Sequence, residues 1–331
     1  MAPIRPRDLL SDELLAKLGQ PGTVAGDIAR LAEAGYLNVA LPPEHGGLGC
    51  TLRQAACGQR RLARHAPDTA LAVSAHLYWT GAAADACRAG DDSVRWILRE
   101  AARGALFAGG HRAAGADLKF ADPRSRCEPD GSGGYRFRDR DAASTATPAW
   151  DWLAVHAVHP GPVPRTVIAF AGRGGGRAPA FRVARVAAAG TPADVFTTSA
   201  LTWGHAILAS VQYSDARRAF NDAITACADA VTPAAFAGPA EPFVPRQGTD
   251  GHPPGRWPAA EAGARLDAMK AKIAEITHPW ALAREPGPDL GGQHLISLYA
   301  MRHEVAEGAV SVHALVERLT GAKAAVRPFA P

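Results

Sequence analysis

The period of the hydrophobic pattern changes twice along this chain, and that double change restricts the fold more than any other feature. Up to about Ala105 the apolar residues recur at helical spacing. In "DDSVRWILREAARGA" Asp92 or Ser93 can cap a helix, and Val94, Ile97, Leu98 and Ala101 share one face. In "DTALAVSAHLYWTGAAADACRAG" the residues Leu71, Ala75, Tyr78, Ala82 and Ala86 do the same, and the small residues suit close helix packing. From Phe107 to about Ala200 the pattern shortens. "GYRF", "WLAVHAV", "TVIAFA" and "AFRVARVA" are β-rich runs separated by turns such as "PDGSGG" and "GRGGGR". From Leu201 helices return. No proline interrupts Trp203 to Val231, where Ala209, Tyr213, Ala216, Phe220, Ala223, Cys227 and Val231 form one stripe and Ile207 and Val211 lie on a second face. A helix apolar on more than one face belongs inside a bundle. Further on, Ala262, Leu266, Met269, Ile273 and Trp280 share a face, and "GGQHLISLYAMRHEVAEGAVSVHALVERLTG" continues the helical pattern. The expected architecture is α+β: an N-terminal helical domain over 1–106, a small central β domain (sheet or barrel) over 107–200, and a C-terminal helical bundle over 201–331. There is no internal repeat.

Composition removes several function classes. With 331 residues, 47% of them hydrophobic, the chain can bury a sizeable core, and 21% charged residues argue against disorder. The net charge of +4 is mild, and no Lys/Arg run is interleaved with aromatics, so nucleic acid is not an expected partner. The five cysteines are scattered without a CxxC pair, which argues against both a disulfide framework and a zinc site. "RHEVAEG" holds His303 and Glu304 but no second His at helical spacing, so a zinc-protease reading fails and no metal is expected. "GRGGGR" lacks the Lys-Ser/Thr of a phosphate-binding loop and reads as a hairpin. No window of 18 apolar residues and no apolar leader are present, so a cytoplasmic protein with no membrane partner is expected.

The stretch "LPPEHGGLGC", Leu41–Cys50, follows a helical run. Pro42 and Pro43 are expected to stop that helix, and Gly46, Gly47 and Gly49 to give the backbone left-handed freedom before the next one. "LAEAGYLNVALPPEHGGLGCTL" resembles the first-domain signature of the acyl-CoA dehydrogenase family, through Pro43, Glu44, His45, Gly46, Gly47 and Gly49. The resemblance continues in order along nearly the whole chain. "ARHAPDTALAVSAHLYW" resembles the family's second-helix pattern, and "FAGGHRAAGADL" stands where the family has the turn before its β domain. "GYRFRDRDAASTATPAWDWLAV" resembles the following strand pair, and "TWGHAILASVQYSDARRAFNDAITACADA" the first long bundle helix. It extends through "VPRQGTDGHPPGRWPAAEAGARLDAMKAKI" to "ALVERLTGAKA".

What the resemblance implies is a flavin enzyme, with FAD as the family cofactor, acting on an acyl thioester or another small molecule. It assigns a hydroxyl pair at Ser144 and Thr145, and a phosphate contact at Arg246 with Gln247 beside it. It also implies a ligand cavity near His76, Tyr78 and Trp79 and near the start of the long helix at Trp203 and His205. His76 has two readings: a core histidine with a backbone partner, or an acid/base group of the cavity. His111 and Arg112 read as a surface turn or as an anion contact, so the candidate catalytic set is His76, Tyr78 and His111.

Departures from the family pattern are as informative. The turn that offers a hydroxyl and amides to the flavin reads Gly110 to Asp117, where Gly115 and Asp117 match. The aromatic expected against the flavin ring falls at about Ala143, which has no stacking surface. The chain closes at Pro331 with no counterpart of the family's loop bearing a glutamate base. Three functional readings remain. The first is a flavin-dependent oxidoreductase, dehydrogenating or monooxygenating. The second is a non-redox subunit paired with a full-length homologue. The third is the fold reused for a flavin-independent reaction. A homo-dimer or tetramer through the bundle, or a hetero-oligomer with a homologue, is expected, and ordinary acyl-CoA dehydrogenation is not.

Overall fold

A computed structural model describes residues 5–20, 24–109, 126–131, 134–137, 150–173, 181–188, 194–231, 256–282 and 292–320. Short helices α1 (Pro6–Leu9) and α2 (Asp12–Ala16) precede α3 (Val24–Glu33), α4 (Leu52–His65), α5 (Pro67–Arg88) and α6 (Arg95–Ala102). Six strands follow among the described residues: β1 (Phe107–Gly109), β2 (Cys127–Pro129), β3 (Tyr135–Phe137), β4 (Trp152–His159), β5 (Arg165–Gly172) and β6 (Phe181–Ala188). Then come α7 (Val195–Val231), α8 (Arg256–Leu282) and α9 (Gly292–Thr320). The helix–strand–helix order matches the two changes of period. α7 starts at Val195, ahead of the proline-free run that marks it in the sequence, because Asp194 caps it by accepting the Thr197 N–H at 2.9 Å.

The "LPPEHGGLGC" stretch differs from its expectation in one respect. The helix before it ends at Glu33, and Gly35 (φ 75°) turns the chain, so the prolines do not terminate that helix. Pro42 and Pro43 open a single 3-10 turn, Pro43–His45, closed by Gly46 at φ 77°. Gly49 N–H donates to Leu41 O at 2.7 Å and Cys50 N–H to Val39 O at 2.9 Å. A side chain at Gly47 would overlap the carbonyl oxygens of Leu41 and Asn38. The glycines therefore knot the loop onto itself and aim it into α4, which Thr51 caps by accepting the Gln54 N–H.

β1 lies parallel to β4, and β4, β5 and β6 run antiparallel, giving the order β1-β4-β5-β6. Alternate residues take opposite faces. Ala154, Ile168, Phe170 and Ala184 join the main helical core, whereas Ala157 and Val167 pack on Cys127 of the small β2-β3 sheet. In the bundle, α7 packs on α4, α5, α8 and α9. Ile207, Ala209, Val211 and Ala216 are fully buried, as a helix apolar on two faces requires. On α8 Ala262, Leu266, Met269 and Ile273 are buried as their spacing demands, and Trp280, the last residue of that face, is half-buried. α5 is buried around most of its circumference from Thr69 to Ala86, and of the stripe read from the sequence Tyr78, Ala82 and Ala86 are buried whereas Leu71 and Ala75 are half-buried. Its Ala, Gly, Ser and Thr residues allow neighbours on every side to approach. One core runs from Leu10 to Val316 through all three sequence zones.

Candidate functional site

The residues singled out on α5 gather where the N-terminal helices, the sheet and α7 meet. Trp79 is fully buried there. Its ring stacks on Phe196 of α7 at 5.8 Å and meets Phe170 of β5 edge-on at 5.0 Å and His156 of β4 edge-on at 5.8 Å. Trp96 continues the cluster, edge-on to Trp152 at 5.1 Å and to Phe170 at 5.5 Å, with the Arg182 guanidinium over its ring at 4.2 Å. Tyr78 lies beside Trp79, ring centroids 4.8 Å apart, and burial drives its hydroxyl pKa far up, so it stays a neutral phenol.

His76 has both ring nitrogens engaged with the backbone. Nε2–H donates to Leu37 O at 3.0 Å, and Nδ1 accepts the Phe107 N–H at 3.3 Å, which fixes the tautomer. Burial lowers its pKa to about 4, against the smaller opposing effects of Leu37 and Asp151. The ring is thus a neutral brace between the loop before Pro42 and the first strand, and neither nitrogen is left for a substrate. This geometry is the core-histidine alternative of the two sequence readings.

Trp203 and His205 lie on α7, both buried. Trp203 packs flat on the backbone of α5 at Gly81, where an added Cβ would stand 2.5 Å from ring atom Cε3. Its Nε1–H donates to Asp85 Oδ2 at 2.9 Å. Trp280 of α8 donates to the same oxygen at 3.0 Å, and Arg88 Nη1 pairs with Asp85 Oδ1 at 2.8 Å. One buried carboxylate therefore ties α5, α7 and α8 together. His205 meets Tyr299 of α9 edge-on at 5.4 Å. Nearby, Trp280 stacks on His294 at 5.3 Å. Thr202 already donates to Thr198 O, so it accepts from His294 Nε2 at 2.9 Å.

His76, Tyr78 and Trp79 thus share the helix–sheet junction; Trp203 lies in the adjoining α5–α7 seam, and His205 faces Tyr299 of α9. His111, Ser144, Thr145, Arg246 and Gln247 lie outside the described residues. Sequence reasoning missed Asp85, Trp96 and Phe196, and read Trp280 only as part of the apolar face of α8. Asp85 carried a usable signal: it is a lone carboxylate in the small-residue run "GAAADACR" of an otherwise apolar helix, and such a charge stays buried only when it is partnered. Among the described residues no group of three His, Cys, Asp or Glu side chains could hold a metal ion, and no helix is long and apolar enough to cross a membrane.

Comparison with known proteins places this arrangement. No protein-family model matches the chain. Over 138 residues it is 29% identical to a protein of Bacillus subtilis (strain 168) named "Putative acyl-CoA dehydrogenase YdbM", a match covering 40% of this chain and 35% of that relative. Solved structures match far more of it. The nitrososynthase from Micromonospora carbonacea var. africana superposes over 98% of this chain and 88% of its own, with TM-score 0.71 and 19% identity. KijD3 in complex with FMN and dTDP-3-amino-2,3,6-trideoxy-4-keto-3-methyl-D-glucose covers 98% of this chain and 86% of its own, with TM-score 0.69 and 20% identity. The chain has the acyl-CoA dehydrogenase fold. Another enzyme that matches, methanesulfinate monooxygenase MsuC from Pseudomonas fluorescens, covers 97% of this chain and 87% of its own, with TM-score 0.66 and 14% identity. Within the acyl-CoA dehydrogenase fold, every position that the sequence resemblance assigns to a flavin lies outside the described residues. The roots of those segments are described. β1 leads from Phe107 to Gly109 beside β4, and Asp151 anchors the approach to β4 by accepting the Leu106 N–H at 2.8 Å.

Proposed function

We propose that this protein is a flavin-dependent oxidoreductase that acts on a small organic molecule, as a monooxygenase rather than as a dehydrogenase of long acyl thioesters. The observation that carries the reading is the α5–α7 seam. Sequence resemblance puts a ligand cavity near His76 and near Trp203. At these places His76 is braced between two backbone groups, and the Trp203 ring lies against Gly81 with no room for a methyl group. A long acyl chain has no path along that contact, which supports a compact substrate. The superposition over 97–98% of the chain on KijD3 bound to FMN and on the monooxygenase MsuC supports the same choice. A reduced flavin, when bound, supplies electrons to dioxygen. The contribution of the described residues is to exclude water from the junction through the aromatic cluster and to hold the sheet against the helices. Roles for His111, Ser144, Thr145, Arg246 and Gln247 belong to this proposal, as does FMN or FAD as the flavin.

Self-association is part of the reading. Ile296, Tyr299 and Val310 on α9 and Trp257 on α8 expose apolar surface on the bundle, and such surface supports a homo-oligomer formed there. The test is absorbance titration of the purified chain with oxidised FMN and FAD and with photoreduced FMN under anaerobic conditions, followed by admission of oxygen. Saturable binding and an oxygen-dependent spectral change are expected. No affinity for either flavin in either redox state refutes the proposal and leaves the non-redox readings.

A further inference from the structure

The glycine-rich loop closes one wall of a cavity distinct from the aromatic junction. Its volume is about 550 Å³, and it lies between the 3-10 turn at Pro43–His45, the C-terminal end of α5 and the outer face of α6. This is within the range of small-ligand sites. Three arginines line it, Arg88 from α5 and Arg95 and Arg99 from α6, against one lining carboxylate, Glu44. Pro42, Pro43, Ala84 and Leu98 supply apolar wall.

Arg95 and Arg99 stand four residues apart on α6, where like charges destabilise a helix unless something answers them. Arg95 pairs with Asp92, whose side chain is 56% exposed, so this bond is open to exchange. Arg88 pairs with Asp85, which is already committed to the Trp203 and Trp280 indoles. Arg99 has no carboxylate partner among the described residues. Arg182 lies near it over Trp96 and has its pKa lowered by burial and then by the charge of Arg99, with Glu100 opposing.

We propose that this cleft binds the phosphoryl group of a small phosphate monoester. Three guanidinium forks from two helices can each give paired N–H donors to a tetrahedral anion, whereas a single carboxylate needs only one. The cavity is too large for phosphate alone, and its proline and leucine walls suit an apolar body. Glu44 at the exposed rim limits the site to one phosphoryl group and offers an acceptor to a hydroxyl or N–H on that body. The site is independent of the flavin reading, because every lining residue belongs to the N-terminal helical region.

The test is isothermal titration of the purified full chain with phenyl phosphate and with inorganic phosphate, at fixed ionic strength. Phenyl phosphate is expected to bind at least tenfold tighter than inorganic phosphate. Arg99→Gln and Arg95→Gln are each expected to weaken it about tenfold. Arg103→Gln, on an arginine outside the cavity, is expected to leave binding unchanged. Asp92→Asn, which frees Arg95 without removing a cation, is expected to tighten binding. Absence of saturable binding, equal affinity for the two anions, or wild-type affinity in both Arg95→Gln and Arg99→Gln overturns the proposal.

Discussion

Replacing Asp85 by alanine tests whether one carboxylate joins the N-terminal helices to the bundle. The substitution removes the acceptor for two indole N–H groups, at 2.9 Å from Trp203 and 3.0 Å from Trp280, and the partner of Arg88. Trp203 is 2% exposed, so its N–H is left in an apolar contact with no water to replace the carboxylate. An orphaned buried donor costs about 1–3 kcal/mol, and a hydrogen bond to a charged acceptor is worth about 1.5–3 kcal/mol. Trp280 is half-buried and can recover water, so its loss is smaller. Arg88 is half-exposed, so its ion pair adds about 0–1 kcal/mol. The expected destabilisation is about 3–5 kcal/mol. Asp85→Asn keeps one carbonyl oxygen for the two indoles and loses only charge assistance and the ion pair, so about 1–2 kcal/mol is expected. Urea unfolding read by tryptophan emission measures both, and the slope against urea must stay constant for the comparison to hold. A loss below about 1 kcal/mol for Asp85→Ala, or equal losses for the two variants, would falsify the bridging role.

Three further outcomes follow from the same packing. Gly81→Ala places its methyl 2.5 Å from the Trp203 ring, which cannot retreat without breaking its bond to Asp85, so a loss of about 1–3 kcal/mol in urea is expected. Gly308→Ala meets the flexible Met269 side chain, with Cγ at 2.8 Å, and is expected to cost less; the reverse order contradicts the assignment of the rigid contact to Trp203. His76 is neutral in both states above about pH 6.5, the ordinary imidazole pKa. Below that the unfolded chain takes up a proton that the buried ring refuses until about pH 4, so its contribution is fully present above pH 6.5 and is lost as pH falls. The stability of the wild type is expected to drop ~3 kcal/mol further than that of His76→Gln across that window. Parallel pH profiles for the two proteins rule this out.

The architecture was legible because it rests on periodicity. Helical, strand and helical spacing each follow from which faces must be buried; on α7 Ile207, Ala209, Val211, Tyr213, Ala216 and Ala223 and on α8 Ala262, Leu266, Met269 and Ile273 emerged inside, whereas Phe220, Cys227 and Trp280 are half-buried. The position of the α3 terminus was not, since Gly35 and the two prolines are both stop signals and only the loop's own hydrogen bonds choose between them. His76 shows the same limit at the site. Its residue type allows either a brace or an acid/base group, and the deciding atoms are the carbonyl of Leu37 and the amide of Phe107, 39 and 31 residues away. Trp203 was marked for its place at a helix start, but its partner Asp85 lies 118 residues back, beyond the reach of any local pattern. The surplus of arginine around the loop cavity was likewise hidden, since Pro43, Arg88 and Arg99 become neighbours only after the helices pack.

The Asp85 link also sets a timetable. Its acceptor is made early in translation, but one indole that satisfies it lies 118 residues later and the other 195 residues later. At roughly 5–20 residues per second, a ribosome needs on the order of 10–40 s to deliver Trp280 after Asp85. Until α7 is made, the small-residue surface of α5 lacks the cover that this helix gives it in the finished protein. The nascent chain is expected to engage chaperones that shield apolar helices, and profiling of ribosomes captured with such a chaperone should place that engagement between the emergence of α5 and that of α7.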